Sequence, residues 1–350
     1  MPVRLCFMLH SILDNVAWPY DMLVTYKHEL KTLISFYKRL GFTFVKSCDL
    51  ASCASRCVSL TFDDGYLDNW TLLHPWLEAE RIPYTVFINR DFVEQSTVTR
   101  AFGDTRPGYL NIAEIKRMHE SGIADIQSHS VTHTWYPTSP RIIDIFTPSK
   151  KSEYPWLLWN RCPATKPSWL HNDYRAVNGL PVFENDRSLR AHQFLFDVEM
   201  LRHFEKTVVD RQLNPDAANL LLMGEYKDIG RLETEAEQER RYEAEIRDNA
   251  NFIRDILGYH PSILCWPGGA YNPLSEKVAY RTHAATTIKK GFGLESHHLH
   301  RLSPGNPYAR DRFPWSNLTL TLSLYTARYC ARALHYGVSA KPRPQSSSIS

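Results

Sequence analysis

Four short apolar runs in this 350-residue sequence stop at residues with unusual chemistry. Residues 3–9 run into His10. Val58-Ser-Leu-Thr-Phe62 alternates apolar and polar, then meets Asp63-Asp64-Gly65. Ile123–Gln127 leads into Ser128-His129-Ser-Val-Thr-His133. Ser262–Trp266 ends at Pro267-Gly268-Gly269. Each run has the length of a β-strand, and the second also has its alternation. Helical patterns separate them. Leu30, Leu33, Ile34, Tyr37 and Leu40 form one stripe over 26–40, and Gly41 follows at the stop position. Residues 71–81 suit a helix. Asn111 and Glu114 form a capping-box pattern, and Gly122 ends that helix. Over 235–257, Tyr242, Ile246, Ile253 and Leu257 share a face. Alternating strands and helices predict an α/β fold with a parallel sheet or barrel. Its site belongs at the C-terminal ends of the strands.

The alternation blurs from about 136 to 234, where Pro and aromatic residues crowd together, as in Tyr154-Pro-Trp-Leu-Leu-Trp159. We read this stretch as an insertion over one face of the barrel. Its aromatic residues are expected mostly to pack, with sugar stacking as the other use. The expectation is one domain over 1–339, with a disordered tail over 340–350.

Composition excludes several classes. Lys plus Arg number 41 against 38 Asp plus Glu, a net charge of +3, so the basic excess of a general nucleic-acid binder is missing. No run of about 18 apolar residues occurs, so no membrane span is expected. We read no secretory signal and expect a cytoplasmic protein. The seven cysteines fit reduced thiols in that setting, and Cys48, Cys53 and Cys57 lack the paired spacing of a structural zinc site.

Two histidines and a carboxylate make an open-sided site for one divalent cation. His129 and His133, four apart, fit convergence from a helical turn, and Asp64 completes the set. Asp63 is then spare. Beside an activated water it suits a general base, and His10 suits the proton donor to a leaving amine. The same ligand types also serve oxygenases, which would need iron and O2.

Thr61-Phe-Asp-Asp-Gly-Tyr66 and His129-Ser-Val-Thr-His133 closely resemble the first two motifs of the NodB-like polysaccharide deacetylases, carbohydrate esterase family 4. The resemblance covers about 3–135 and 240–315. It implies a distorted (β/α)7 barrel and metal-dependent N-deacetylation of an N-acetylated sugar. Asp63 becomes the base, and Asp64, His129 and His133 become ligands of Zn2+, or of Co2+, Ni2+ or Fe2+. The opening Phe7-Met-Leu-His-Ser11 and the form Trp266-Pro267-Gly268-Gly269 resemble the biofilm poly-N-acetylglucosamine deacetylase branch. That favours His10 as the acid over His297, His298 and His300. Trp266, Pro267 and Gly268 fall at the substrate, with the Gly268 N–H facing the oxyanion. The family's third-motif Arg is absent, and Arg301 or Arg310 are the substitutes. The expected partner is a glycan, with a lipid-linked or nucleotide-linked sugar as the precursor form. Two other readings stay open: hydrolysis of a non-sugar amide, and a degenerate glycan-binding barrel.

Overall fold

The computed structural model describes residues 3–14, 24–288 and 298–302. The expectations for Arg310, His297 and the tail over 340–350 lie outside the described residues.

Seven parallel strands follow one another around the sheet in chain order: β1 (Arg4–Leu9), β2 (Cys57–Phe62), β3 (Tyr84–Ile88), β4 (Ala124–Ser128), β5 (Ile263–Leu264), β6 (Ala285–Ile288) and β7 (His298–His300). A short strand, Thr43–Phe44, pairs with the start of β2. Just past β7, Leu302 bridges back to Phe7. Met8 N donates to Leu302 O at 2.7 Å, and Leu302 N to Cys6 O at 2.8 Å. The sheet is therefore a nearly closed seven-stranded barrel.

Helices pack on its outside. α1 (Lys27–Arg39) turns Leu30, Leu33, Ile34 and Tyr37 inward, four of the five residues of the stripe read from the sequence; Leu40 lies past the last turn and is exposed. α2 (Ile112–Glu120) opens on the Asn111–Glu114 capping box. α3 (Glu235–Leu257) opens on a Thr234–Glu237 box and ends at Gly258, whose φ of 78° suits a residue without Cβ. The main core is formed by β1–β4 residues such as Phe7, Leu60, Val86 and Ile126 with the inner faces of α1 and α2.

The insertion has its own frame. The strands Trp135–Ile145 and Pro181–Arg187 pair antiparallel, with register shifts between Pro137 and Asp144. Helices Val198–Asp210 and Pro215–Glu225 cover part of this pair. A second aromatic core joins Trp156, Trp159 and Trp169 to Phe92 and Tyr109 of the barrel loops.

Cys53 and Cys57 lie side by side at the start of β2. The loop before β2 brings their Cα atoms to 6.6 Å, within bridging range. Cys6, Cys48, Cys162 and Cys265 are free thiols.

Candidate active site

β2 delivers Asp63 and Asp64 to the barrel mouth through a sharp turn. Asp63 N donates to Leu9 O at 2.9 Å, which ties the turn to the end of β1. Asp64 (φ 70°) and Gly65 (φ 67°) are both left-handed. Asp tolerates that region better than most residues. At position 65 a Cβ would also sit 3.1 Å from Ile88 Cγ2, so glycine is favoured there on both counts.

His129 and His133 leave β4 on a loop, not on a helical turn as the spacing suggested. Ser130 (φ 67°) and His133 (φ 46°) are left-handed, which breaks any helical path. The strain is held from α3. Val131 N donates to Glu245 O at 3.0 Å, and Thr132 N to Glu245 Oε2 at 2.9 Å. Asn249 Nδ2 donates to Ile88 O at 3.0 Å and Ser128 Oγ at 2.9 Å, joining the ends of β3 and β4. Sequence reading found neither Glu245 nor Asn249.

The His129 Nδ1–H donates to Cys265 O at 2.8 Å, since a carbonyl oxygen only accepts. That bond fixes the tautomer and leaves Nε2 for a ligand role. His129 Nε2 lies 3.2 Å and His133 Nε2 3.3 Å from Asp64 Oδ1. That oxygen is buried without a well-formed hydrogen bond. All three donor atoms fall within 4.8 Å of one another. Burial opposes charge on both rings. It lowers the pKa of His133 to about 3, against the pull of Asp64. In His129, Cys265 and the two carboxylates outweigh burial and raise the pKa. The pocket thus draws a positive charge toward Asp64. The imidazole–carboxylate donor set and this polarity both fit a divalent cation. Asp63, His129 and Cys265 form a second convergent set, which shares His129 with the first.

Asp63 is engaged differently. Arg301 reaches it from just beyond β7, with Nη2 2.9 Å from Oδ2 and Nη1 beside Oδ1. Nη1 also donates to Thr61 Oγ1 at 3.2 Å, and Nη2 to Cys265 Sγ at 2.9 Å. Burial would push the Asp63 carboxyl up, but Arg301, then His129 and His10, hold it at about 2. His10 Nε2 lies 3.8 Å from Asp63 Oδ2. His298, by contrast, faces Glu276 at 3.0 Å.

The third motif is a correction in part. Trp266 is fully buried against Tyr242 and Leu264, and Pro267 is buried beside it, so neither side chain reaches a substrate. Only Gly268 is exposed there, with φ at 60°. A cavity of about 270 Å3 opens beside Asp64 and His133, lined by Tyr109, Trp135, Trp159, Trp169 and Arg187. The insertion supplies all but the first of those five. Most of its aromatic residues do pack: Trp159 meets Trp169 edge-on at 5.2 Å, and Trp169 Nε1 donates to Tyr109 Oη at 2.6 Å.

The sequence profile of the polysaccharide deacetylase family matches residues 52–151, which hold both the Asp63-Asp64 and the His129–His133 motifs. Over that stretch the chain is similar to the polysaccharide deacetylases. No curated protein sequence matches it. Among solved structures, the chain is similar to a de-N-acetylase from Aggregatibacter actinomycetemcomitans at 14% identity, over 87% of this chain and 96% of that one, with TM-score 0.56. It is similar to the BpsB deacetylase domain from Bordetella bronchiseptica at 17% identity, over 85% and 94%, with TM-score 0.52. It is similar to IcaB from Ammonifex degensii at 13% identity, over 91% and 97%, with TM-score 0.51. These likenesses establish the NodB-type (β/α)7 barrel for this chain. The family whose profile matches 52–151 is one of hydrolases of non-peptide carbon–nitrogen bonds.

Proposed function

We propose that this protein hydrolyses the N-acetyl group of an amino sugar in a polysaccharide or glycan precursor. One divalent ion, Zn2+ first among candidates, is held by Asp64, His129 and His133. The observation that carries the reading is the division of labour between adjacent carboxylates. Asp64 sits between two imidazoles, while Asp63 is kept ionised by Arg301 and turned toward His10.

When bound, such an ion lowers the pKa of its water to roughly 7 and polarises a carbonyl. The chain's own residues do the rest. Asp63 removes a proton from the attacking water, whose oxygen bonds to the acyl carbon. The Gly268 N–H faces the oxyanion. His10 gives a proton to the nitrogen as the carbon–nitrogen bond breaks, and acetate and a free amine leave. Arg301 is a positioning residue, because it touches Asp63 alone among the reacting groups. The proposal extends to lipid-linked and nucleotide-linked sugars in the cytoplasm. Among the described residues no helix is long and apolar enough to cross a membrane.

The test is release of acetate or formate from N-acylated sugars, and ring opening of cyclic amides, by the wild-type chain and by Asp63→Asn. We expect acetate from sugars, at least a hundredfold loss in Asp63→Asn (general-base contributions run from about 10² to 10⁴), and unchanged metal content. Ring opening of a cyclic amide to a product carrying both the new carboxylate and the amine, or full turnover in Asp63→Asn, would overturn the reading.

A further inference from the structure

The mechanism leaves one cation at the site without a task. Arg187 ends the strand Pro181–Arg187 and stands opposite Trp135 in the antiparallel register, two residues after His133. Its guanidinium carbon lies over the Trp135 ring, 3.8 Å from the centroid. Nη1 is buried and has no hydrogen-bond partner among the described residues. The neighbouring carboxylates are engaged elsewhere. Asp186 takes Arg190 in two bonds of 2.6 and 2.7 Å. Asp64 belongs to the ion site, and Glu153, also on the cavity wall, makes no ion pair with Arg187. Burial, only partly offset by Asp64, lowers the Arg187 pKa to about 10, so it stays charged at neutral pH.

The third motif makes room for this group. A Cβ on Gly268 would lie 2.4 Å from Arg187 Cζ and 2.6 Å from Nε. The glycine at this position therefore leaves room for a guanidinium from the insertion.

A desolvated charge whose burial is only partly offset is costly to hold. This one lies against Trp135 at the wall of a cavity that also exposes Asp64 and His133. A guanidinium fork matches a carboxylate or a phosphate. The flanking Trp and Tyr faces suit the apolar face of a sugar ring. We propose that Arg187 determines specificity, and that the acylated sugar carries a carboxylate or phosphate near its N-acyl group. This rests on the deacetylase reading for the reaction, but not for the binding.

The full chain, with Arg187→Gln and Arg187→Lys, is tested on N-acetylglucosamine, N-acetylmuramic acid and N-acetylglucosamine 1-phosphate. The first is neutral, the second adds a carboxylate, the third a phosphate. Acetate release gives kcat/KM for each. We expect one charged sugar to exceed the neutral one by about tenfold or more, which also identifies the anion; hydrogen bonds to charged groups are worth about that much. Arg187→Gln should lower the charged-to-neutral ratio about tenfold, mainly through KM, and Arg187→Lys should recover part of it. Equal kcat/KM for charged and neutral sugars, or an equal fall on both in Arg187→Gln, overturns the proposal. Calorimetric binding of the same sugars to metal-free protein separates the two readings. If no sugar releases acetate, the reaction is wrong, and charged sugars binding more tightly in an Arg187-dependent way still upholds the anion site. Equal binding of charged and neutral sugars overturns it.

Discussion

Arg301→Met removes one half of a fully desolvated ion pair, since the two side chains are 0% and 4% exposed. The two charge centres are about 4 Å apart, and at an effective dielectric of about 20 their attraction is about 4 kcal/mol. Breaking a buried pair from one side costs about 3–5 kcal/mol by experience with other proteins, which agrees. Four kcal/mol corresponds to about 3 pKa units. The Asp63 carboxyl, held at about 2 in the intact pair, would then rise to about 5 or above. The sign of the pH effect reverses with it. In the wild type, the stability contributed by Asp63 is in place above the unfolded value of about 4 and is lost as pH falls through about 2. In the variant the carboxyl titrates above its unfolded value, so its contribution is present at low pH and is lost as pH rises through about 5. Urea denaturation at pH 7 and pH 4 reads this directly. The variant should be less stable by about 4 kcal/mol at pH 7, with a smaller deficit at pH 4. Adding Asp63→Asn removes the stranded charge and should recover part of the loss. A deficit below about 1 kcal/mol at pH 7, the range of an exposed pair, would refute the reasoning. So would a deficit that does not narrow at pH 4.

Three further outcomes follow from the geometry. Elemental analysis should find about one divalent ion per wild-type chain and none in His129→Ala with His133→Ala; retention of the ion in that variant would remove both residues as ligands. Burial raises the Asp68 carboxyl to about 6, against hydrogen bonds from Ser11, Ile12 and Asn69. Its share of stability is therefore present below about pH 4 and lost as pH rises through about 6. Asp68→Asn should flatten that part of the stability curve, and an unchanged slope would count against the assignment. Trp159→Ala should cost about 3–5 kcal/mol in thermal or urea unfolding, because the ring is buried against Phe92 and Trp169; a loss under about 1 kcal/mol would mean that the aromatic cluster is not a core.

The elements that carry the paired motifs were legible because each is local. The strand before Asp63, the Asn111–Glu114 cap and the α3 stripe are all set by residues within a few positions of one another. The His129–His133 spacing misled, because two left-handed residues bring positions four apart together as well as a helical turn does, and no glycine marks them. Glu245 and Asn249 were hidden by distance: they support a loop more than 110 positions away, and nothing in α3 distinguishes them from other polar residues on its inner face. Arg301 was named from a gap in the third motif, not from any signal of its own. Arg187 was invisible because the strand pair that delivers it contains Pro137 and Pro140 and shifts register, which erases the alternation a strand would show.

The contact that closes the barrel joins Phe7 to Leu302, residues 295 positions apart by subtraction. A nascent chain emerging at about 5–20 residues per second has made β1 long before Leu302 exists, so the outer edge of that strand waits roughly 15–60 s for its neighbour. Throughout that interval a strand of Leu5, Phe7 and Leu9 offers unpaired amides and carbonyls to any passing β-segment. The same late arrival governs competence, because Arg301 reaches Asp63 from the closing stretch itself. Ribosome-bound intermediates therefore hold both aspartates and both histidines before the base is oriented. Yield in a heterologous host should depend on translation rate and on holdase chaperones more than on the stability of the finished barrel.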